Sequence, residues 1–505
     1  MPTPPRRTVL LCTLAATVAL LPALPAQAIP RTTAPPTPLR FGDCPASVPT
    51  PPTPERVECG RLSVPLDWHD PQSPHIEIAV SRIPASGTPA ERRGALVVNP
   101  GGPGGSGLPY AVTKRAKLPA SVRRSYDVIG FDPRGVGRSA PADCGPMGGL
   151  FDAPGDDPVP AGATAENEYL GALRTMADDC ARQSAAALPH LSTEQTARDM
   201  DALRAALGQR RTNFLGVSYG SYLGAAYAAL FPHRTGRMVL DSVVGPWDWY
   251  DFDALQSRAL LRQRNTFFTW VAAHPERFEL GASATATRRS YLTARRELAE
   301  HPVNGIGPAE FDRAVYRALG RTERWAPLAD GLRSYLRTGN PDPFRPATAF
   351  DGPDSRNYEA ANRIVKCADG PATTPHRILT DLHRMRRLDP QPILTGMEAS
   401  ACAYWHHRPA HRTPLGSPDA PPALLVASEH DPVTPIEGAR RLRPLLPGSR
   451  LITLHDDYSH GVFASRGNTC VDATTAAYLT DGTLPTEDVH CAGPGLPAVP
   501  QQTHS

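Results

Sequence analysis

The run Asn213-Phe214-Leu215-Gly216-Val217-Ser218-Tyr219-Gly220-Ser221 constrains this chain more than any other segment. An apolar strand runs into Gly-x-Ser-x-Gly, and a small-residue helix from Tyr222 to Leu230 follows at once. A serine at so sharp a strand-to-helix turn is forced into strained backbone angles, which lifts its Oγ clear of the sheet edge. Gly216 and Gly220 are required because side chains there would collide with the neighbouring helix and strand. The helix beginning at Tyr219 aims free N–H groups at the place where an oxyanion would form.

Short apolar runs of the kind a buried parallel sheet needs surround this turn in the chain. They are Ala95–Val98, Asp127–Phe131, Phe214–Val217, Arg237–Leu240, Ala423–Ala427 and Leu451–Leu454, and each ends in a loop carrying Gly, Pro, Asp or His. Upstream, Arg61–Leu66 and Ile76–Val80 alternate in polarity as paired strands do. Between the Arg237 and Ala423 runs no comparable strand occurs. Helix-period stretches stand there instead, at Ala259–His274, Arg289–Glu300, Glu310–Leu319 and Ala326–Leu336. Because sheet strands resume afterwards, this insertion is read as a helical cap rather than as a tethered domain. The expected fold is α/β: a mostly parallel sheet flanked by helices. Residues 57–246 form the first part of the core, 247–415 the cap and 416–505 the remainder of the core.

The N-terminus reads as an export signal over residues 1–28. Arg6-Arg7 supplies the charge, Val9–Leu21 the apolar stretch, and Ala26-Gln27-Ala28 an A-x-A cleavage site. A Pro- and Thr-rich lead-in follows over 29–56. No later run approaches the ~18 apolar residues of a membrane span, so a secreted, extracellular protein is expected. With 53 basic and 50 acidic side chains, a net charge of +3 leaves no electrostatic footprint for nucleic acid. Beyond Cys12 in the leader, eight cysteines remain, an even number that suits an oxidising compartment. Eight cysteines allow 105 connectivities. The simplest is sequential: Cys44–Cys59, Cys144–Cys180, Cys367–Cys402 and Cys470–Cys491, since each closes a short local loop. The absence of any C-x-x-C spacing argues against zinc.

Acyl transfer by serine needs a base, a group that orients the base, and donors for the oxyanion. After the Ala423–Ala427 run comes Ser428-Glu429-His430-Asp431-Pro432, and after Leu451–Leu454 comes His455-Asp456-Asp457-Tyr458-Ser459-His460-Gly461. The order Ser218, Asp431, His460 is the nucleophile–acid–base order of α/β-hydrolases. Glu429 competes as the acid, but Asp431 stands further past the strand end in an Asp-Pro turn. His455 competes as the base, but it follows its strand at once, whereas His460 precedes Gly461 in a loop. The glycine-rich loop Asn99-Pro100-Gly101-Gly102-Pro103-Gly104-Gly105-Ser106-Gly107 offers one oxyanion N–H and Tyr219 the other. Pro103 has no N–H; Gly102 is the first choice and Gly101 the second. No Gly-Lys-Ser/Thr follows, which removes a phosphate cradle.

The set Gly101–Gly107, Gly130-Phe131-Asp132-Pro133-Arg134-Gly135-Val136-Gly137-Arg138-Ser139, Gly216–Gly220 and Asp431-Pro432-Val433-Thr434-Pro435 resembles exported bacterial tripeptidyl aminopeptidases. These form part of the prolyl-aminopeptidase-like branch of the α/β-hydrolases. The stretch from Asn468 through Tyr478–Gly482 to Cys491 is similar to that family's C-terminal segment. The resemblance covers most of 57–491 and is weakest in the cap. It implies a cofactor-free serine peptidase acting on peptides with free N-termini, releasing short peptides such as tripeptides. A carboxylesterase or lipase with the same triad is the rival, and an inactive hydrolase-like binding protein is a further one, although no triad member is missing. Gly245 is a departure, since relatives often have an acidic residue near there. An exopeptidase must offer the substrate's ammonium a partner, and Asp248 and Asp251 enter the cap at a suitable point. Asp132 and Arg134 read as a buried turn bracing the oxyanion loop. Trp405-His406-His407 with His411 reads as a His-rich loop, because that spacing does not put three imidazoles on one helical face.

Overall fold

The computed structural model describes residues 39–46, 48, 55–70, 72–145, 157–345, 353–392, 397–407 and 412–499. The proposed leader 1–28, most of the lead-in and His411 lie outside the described residues. All described residues belong to one compact unit spanning Thr37–Ser505.

Ten strands form a single sheet in the order β1-β2-β3-β5-β4-β6-β7-β8-β9-β10. They are β1 Gly42–Asp43, β2 Glu58–Pro65, β3 His75–Ile83, β4 Gly94–Asn99, β5 Tyr126–Phe131, β6 Thr212–Val217, β7 Thr235–Asp241, β8 Leu424–Ser428, β9 Arg450–His455 and β10 Val489–Ala492. The first three pair antiparallel in sequence order, β3 lies antiparallel on β5, and every pairing from β5 through β4 to β10 is parallel. Successive residues of the central strands face opposite ways, so each strand feeds two cores. Ala95, Val97, Phe214, Met238 and Leu425 enter one cluster, while Leu96, Val98, Leu215, Val239 and Leu424 enter the other. Such two-sided burial is why these strands read as continuous apolar runs.

The strand order reverses at β4. Its own helix, Gly107–Lys117, packs on one face of the sheet, and the helix after β6, Tyr219–Leu230, packs on the other. The loops leaving β4 and β6 therefore diverge side by side and open a crevice at the carboxyl ends of the strands, where α/β sheets bind ligands. The helix Tyr219–Leu230 is small and apolar all round, and nearly all of it is buried.

The segment between β7 and β8 is helical, as its periodicity indicates, with helices Trp249–Ala272, Ala284–Glu300, Pro308–Leu319 and Trp325–Thr338. Two further helices, Pro353–Ala368 and Pro375–Leu388, and the short turn Glu398–Tyr404 complete the insertion beyond the four stretches named from the sequence. The insertion packs as two layers. Residues from Leu260 to Phe344 build their own apolar cluster around Phe267, Trp270 and Trp325. Trp249, Phe252, Ile364 and Cys402 instead join the sheet's own core. Side chains tie these layers to the loops below: Gln256 Nε2 donates to Val433 O at 2.8 Å, Gln263 Nε2 to Tyr458 O at 2.7 Å and Asn362 Nδ2 to Pro103 O at 3.0 Å.

The strand β10 also went unanticipated. It is only four residues long and continues the sheet by pairing parallel with β9, beside the bridge from Cys470 to Cys491. The other bridges join Cys44 to Cys59, Cys144 to Cys180 and Cys367 to Cys402, which is the local, sequential arrangement. Among the described residues no helix is long and apolar enough to cross a membrane.

Candidate active site

Ser218 sits between β6 and its helix at φ 60°, ψ −126°, a left-handed conformation rare for a side chain that carries a Cβ. Its N–H is held by Asp241 O at 2.9 Å. A Cβ on Gly216 would come within 2.2 Å of Gly220 O, and one on Gly220 within 2.9 Å of Asn99 O, so the turn closes only with hydrogen at both positions. Gly101 is wedged in the same way: a Cβ there would lie 2.4 Å from Val217 O and 2.9 Å from Ser218 Cβ.

The loops after β8 and β9 bring Asp431 and His460 together, with His460 Nδ1 2.9 Å from Asp431 Oδ2. The carboxylate is fully buried and saturated. Val433 and Thr434 N–H groups donate to Oδ1 at 2.8 and 3.0 Å, and the Thr434 hydroxyl donates to Oδ2 at 2.9 Å. Burial pushes this carboxyl up, but the charge and hydrogen bond of His460 and the backbone N–H donors outweigh it and hold Asp431 below the usual carboxylate range. His460 is anchored from above, its N–H donating to Gly320 O at 3.0 Å, and its ring keeps 19% of its surface exposed.

Ser218, His460 and Gly102 line one cavity of about 270 Å³ under the helical insertion. Gly101 donates its N–H to Asn99 Oδ1 at 2.9 Å, whereas the N–H groups of Gly102 and Tyr219 have no partner among the described residues. The Tyr219 hydroxyl points away from the cavity chemistry into a buried network, 2.7 Å from Thr193 Oγ1, which donates to Asp369 Oδ2 at 2.6 Å. Burial pushes Asp369 up to about 6. The glycines of the loop answer to the insertion as much as to any substrate: a Cβ on Gly104 would lie 2.5 Å from Tyr358 O of the helix above.

The competing positions fall elsewhere. His455 Nδ1 is 3.1 Å from Glu429 Oε2, and His455 Nε2 is 2.8 Å from His490 Nδ1, a surface group apart from the Asp431–His460 pair. Glu429, His430 and Asp456 there bring potential ligand atoms within 4.8 Å of one another, an open acidic edge of a kind common without an ion. Asp132 does brace the glycine-rich loop, accepting from Ser106 Oγ at 2.6 Å and Gly107 N at 3.0 Å. Arg134 pairs with Asp199, not with Asp132. His406 meets Asp178 on the surface. Gly245 is a packing glycine, since a Cβ would lie 2.4 Å from the Trp247 ring.

Asp248 and Asp251 are spent in ion pairs with Arg412 and Arg377, and neither lines the cavity. The carboxylate that does line it is Glu398, which the linear pattern did not single out. Glu398 Oε2 and Asp253 Oδ1 each lie 2.9 Å from Lys366 Nζ. Burial first, and then Glu398, pushes Asp253 up to about 7 against the pull of Lys366. Lys366 thus bridges the two carboxylates, and Glu398 is the single carboxylate among the residues lining the cavity, beside Lys366, Arg317, Arg321 and Arg324. The signal for it was Lys366 itself, one of three lysines in an arginine-rich chain and adjacent to Cys367.

A buried carboxylate on imidazole, a strained serine and free N–H groups around one cavity are the parts of an acyl-transfer site. The comparisons agree with that class. Residues 94–463 match the model of the alpha/beta hydrolase fold, and the chain belongs to the α/β-hydrolase family. It is 39% identical over 466 residues to the tripeptidyl aminopeptidase of Streptomyces lividans, across 88% of this chain and 85% of that protein. It is 30% identical over 483 residues to the serine protease Hip1 of Mycobacterium tuberculosis, across 90% and 91%. Carboxylesterase B of the same species is 31% identical over 461 residues, across 86% of each chain. Within its family the chain is a serine hydrolase of the peptidase class.

Proposed function

We propose that the protein is a secreted aminopeptidase that removes tripeptides from free N-termini through an acyl-enzyme. Ser218 Oγ attacks the scissile carbonyl while His460 takes its proton, and the tetrahedral oxyanion rests on the N–H groups of Gly102 and Tyr219. Collapse expels the leaving amine, protonated by His460. Water, deprotonated by the same imidazole, then releases the acyl group as a free tripeptide and regenerates Ser218. Asp431 holds the imidazole with Nδ1–H toward itself and stabilises the imidazolium. The four disulfides support the extracellular part of the reading.

The observation that carries the exopeptidase reading is Glu398, a carboxylate in the wall of a small covered cavity that also holds Ser218 and His460. A substrate ammonium seated against Glu398 gains a carboxylate partner in place of Lys366, which offsets its desolvation. The test compares a free tripeptidyl-anilide with its N-acetylated form, beside aminoacyl- and dipeptidyl-anilides and simple esters. The expected result is a large drop in kcat/KM on acetylation, reduced in Glu398→Gln. The 31% identity to carboxylesterase B favours a second reading, an esterase, for which simple esters would be the best substrates and acetylation would change nothing.

A further inference from the structure

The last residue of β7 is an aspartate buried beneath the nucleophile. Asp241 has no exposed surface, and its two ends serve two loops. Its backbone O accepts the Ser218 N–H at 2.9 Å. Its carboxylate accepts the Val462 N–H at 3.1 Å to either oxygen and the Phe463 N–H at 3.0 Å. Those two residues directly follow His460-Gly461. Ser242 adds to the clamp: its Oγ accepts the Gly461 N–H at 2.8 Å, and it sits at a left-handed φ of 51°. Lys114, 3% exposed on the helix Gly107–Lys117, donates to Phe463 O and lies 3.3 Å from Ser465 Oγ. A single peptide segment is thus held through its N–H groups by an anion and through its C=O by a cation.

We propose that Asp241, with Lys114 as its buried counter-charge, is the positioning residue that fixes the histidine loop against the nucleophile turn. This rests on the acyl-transfer reading of Ser218 and His460. A carboxylate without this task would be costly where Asp241 stands, since an uncompensated buried charge is strongly unfavourable. No other described group links the two loops through one side chain and its own backbone. The groups facing Asp241 are Lys114 and Tyr110 from one helix and His460 from the loop itself, while Asp472 from the C-terminal helix, Lys117 from its own helix and Arg321 from the insertion act on Lys114. Burial pushes the Asp241 carboxyl up to about 6, with Lys114 and the two backbone donors opposing it. Its protonation removes acceptor capacity from the loop.

The experiment is the rate of Ser218 labelling by a fluorophosphonate as a function of pH, which needs the serine and its base but no peptide subsite. Wild type should label at neutral pH with an acid limb that reports two protonations, and therefore steeper than a single titration. Asp241→Asn, with its fold checked by circular dichroism, should label roughly 100-fold more slowly, the cost of an ångström-scale misplacement, and its acid limb should report one protonation. Where Asp241→Asn does not fold, Lys114→Met decides. Loss of the counter-charge should move the wild-type acid limb upward by about one pH unit. A folded Asp241→Asn that labels at the wild-type rate with an unchanged limb, or an unmoved limb in Lys114→Met, overturns the proposal. Wild type that does not label at all rejects the acyl-transfer reading, and this proposal falls with it.

Discussion

At the scale of single residues the acid of the proposed triad is the position most open to test, because two carboxylates compete for it within three residues. Asp431 is buried and takes two backbone N–H groups and a hydroxyl on its way to His460, whereas Glu429 is spent on His455 at the surface. Asp431→Asn should lower kcat on the order of 10⁴-fold by favouring the wrong imidazole tautomer, with KM nearly unchanged. Glu429→Gln should leave both constants within about twofold, as a surface ion pair contributes little. Steady-state kinetics of the two variants settle the choice, and the reverse ranking would move the acid to Glu429. Ser218→Ala and His460→Ala should each abolish turnover about as completely as their combination, because such groups act as a unit.

At the scale of elements the bridge between Cys367 and Cys402 stands out, because it joins the two pieces of chain that carry Lys366 and Glu398. Cys367 lies in the last turn of the helix that carries Lys366, and Cys402 lies in the turn that begins at Glu398. The helix also presses Tyr358 onto Gly104, so the same element sets the glycine-rich loop. Replacing both cysteines by serine should cost about 4 kcal/mol in the chain-entropy description. It should also raise KM for the free tripeptidyl-anilide more than it lowers kcat, since Ser218, Asp431 and His460 stand on other elements. An equal KM for both proteins would show that the wall holds its geometry without the bridge.

At the scale of the whole molecule, burial of carboxylates sets the response to pH. Burial pushes Asp241 and Asp369 up to about 6 and Asp253 up to about 7, from an ordinary value of 3.8. Between those limits the folded chain keeps protons that the unfolded chain has released. Their contribution to stability is therefore fully present below pH 3.8 and is lost as pH rises through 6 and 7. Asp431, held below the usual range, acts in the opposite sense, its contribution present above 3.8 and lost as pH falls through its folded value. Urea unfolding should accordingly show lower stability at pH 7 than at pH 5, with proton release on unfolding at pH 5.5 that Asp369→Asn reduces. Stability that rises across this window would show that these carboxylates are ionised in the folded state. The same contrast between local and assembled chemistry divides what the chain's linear order carries from what it does not. The parallel strands were legible because burial on both faces demands unbroken apolar runs, and Ser218 because a strained turn between strand and helix needs glycines at fixed offsets. Asp431 and His460 were legible as loop residues after successive strands, since the carboxyl ends of a parallel sheet share one edge. The short strand β10 left no comparable trace, because four residues carry little pattern, whereas the helix Pro375–Leu388 is written in the sequence as a Thr374 cap and an apolar stripe of Ile378, Leu382 and Met385. Glu398, Lys366 and Asp253 are far apart in the chain and owe their contact to packing alone. Asp241 reads as the ordinary end of a strand until the histidine loop closes over it, because a buried charge takes its meaning from the groups that tertiary structure brings to it.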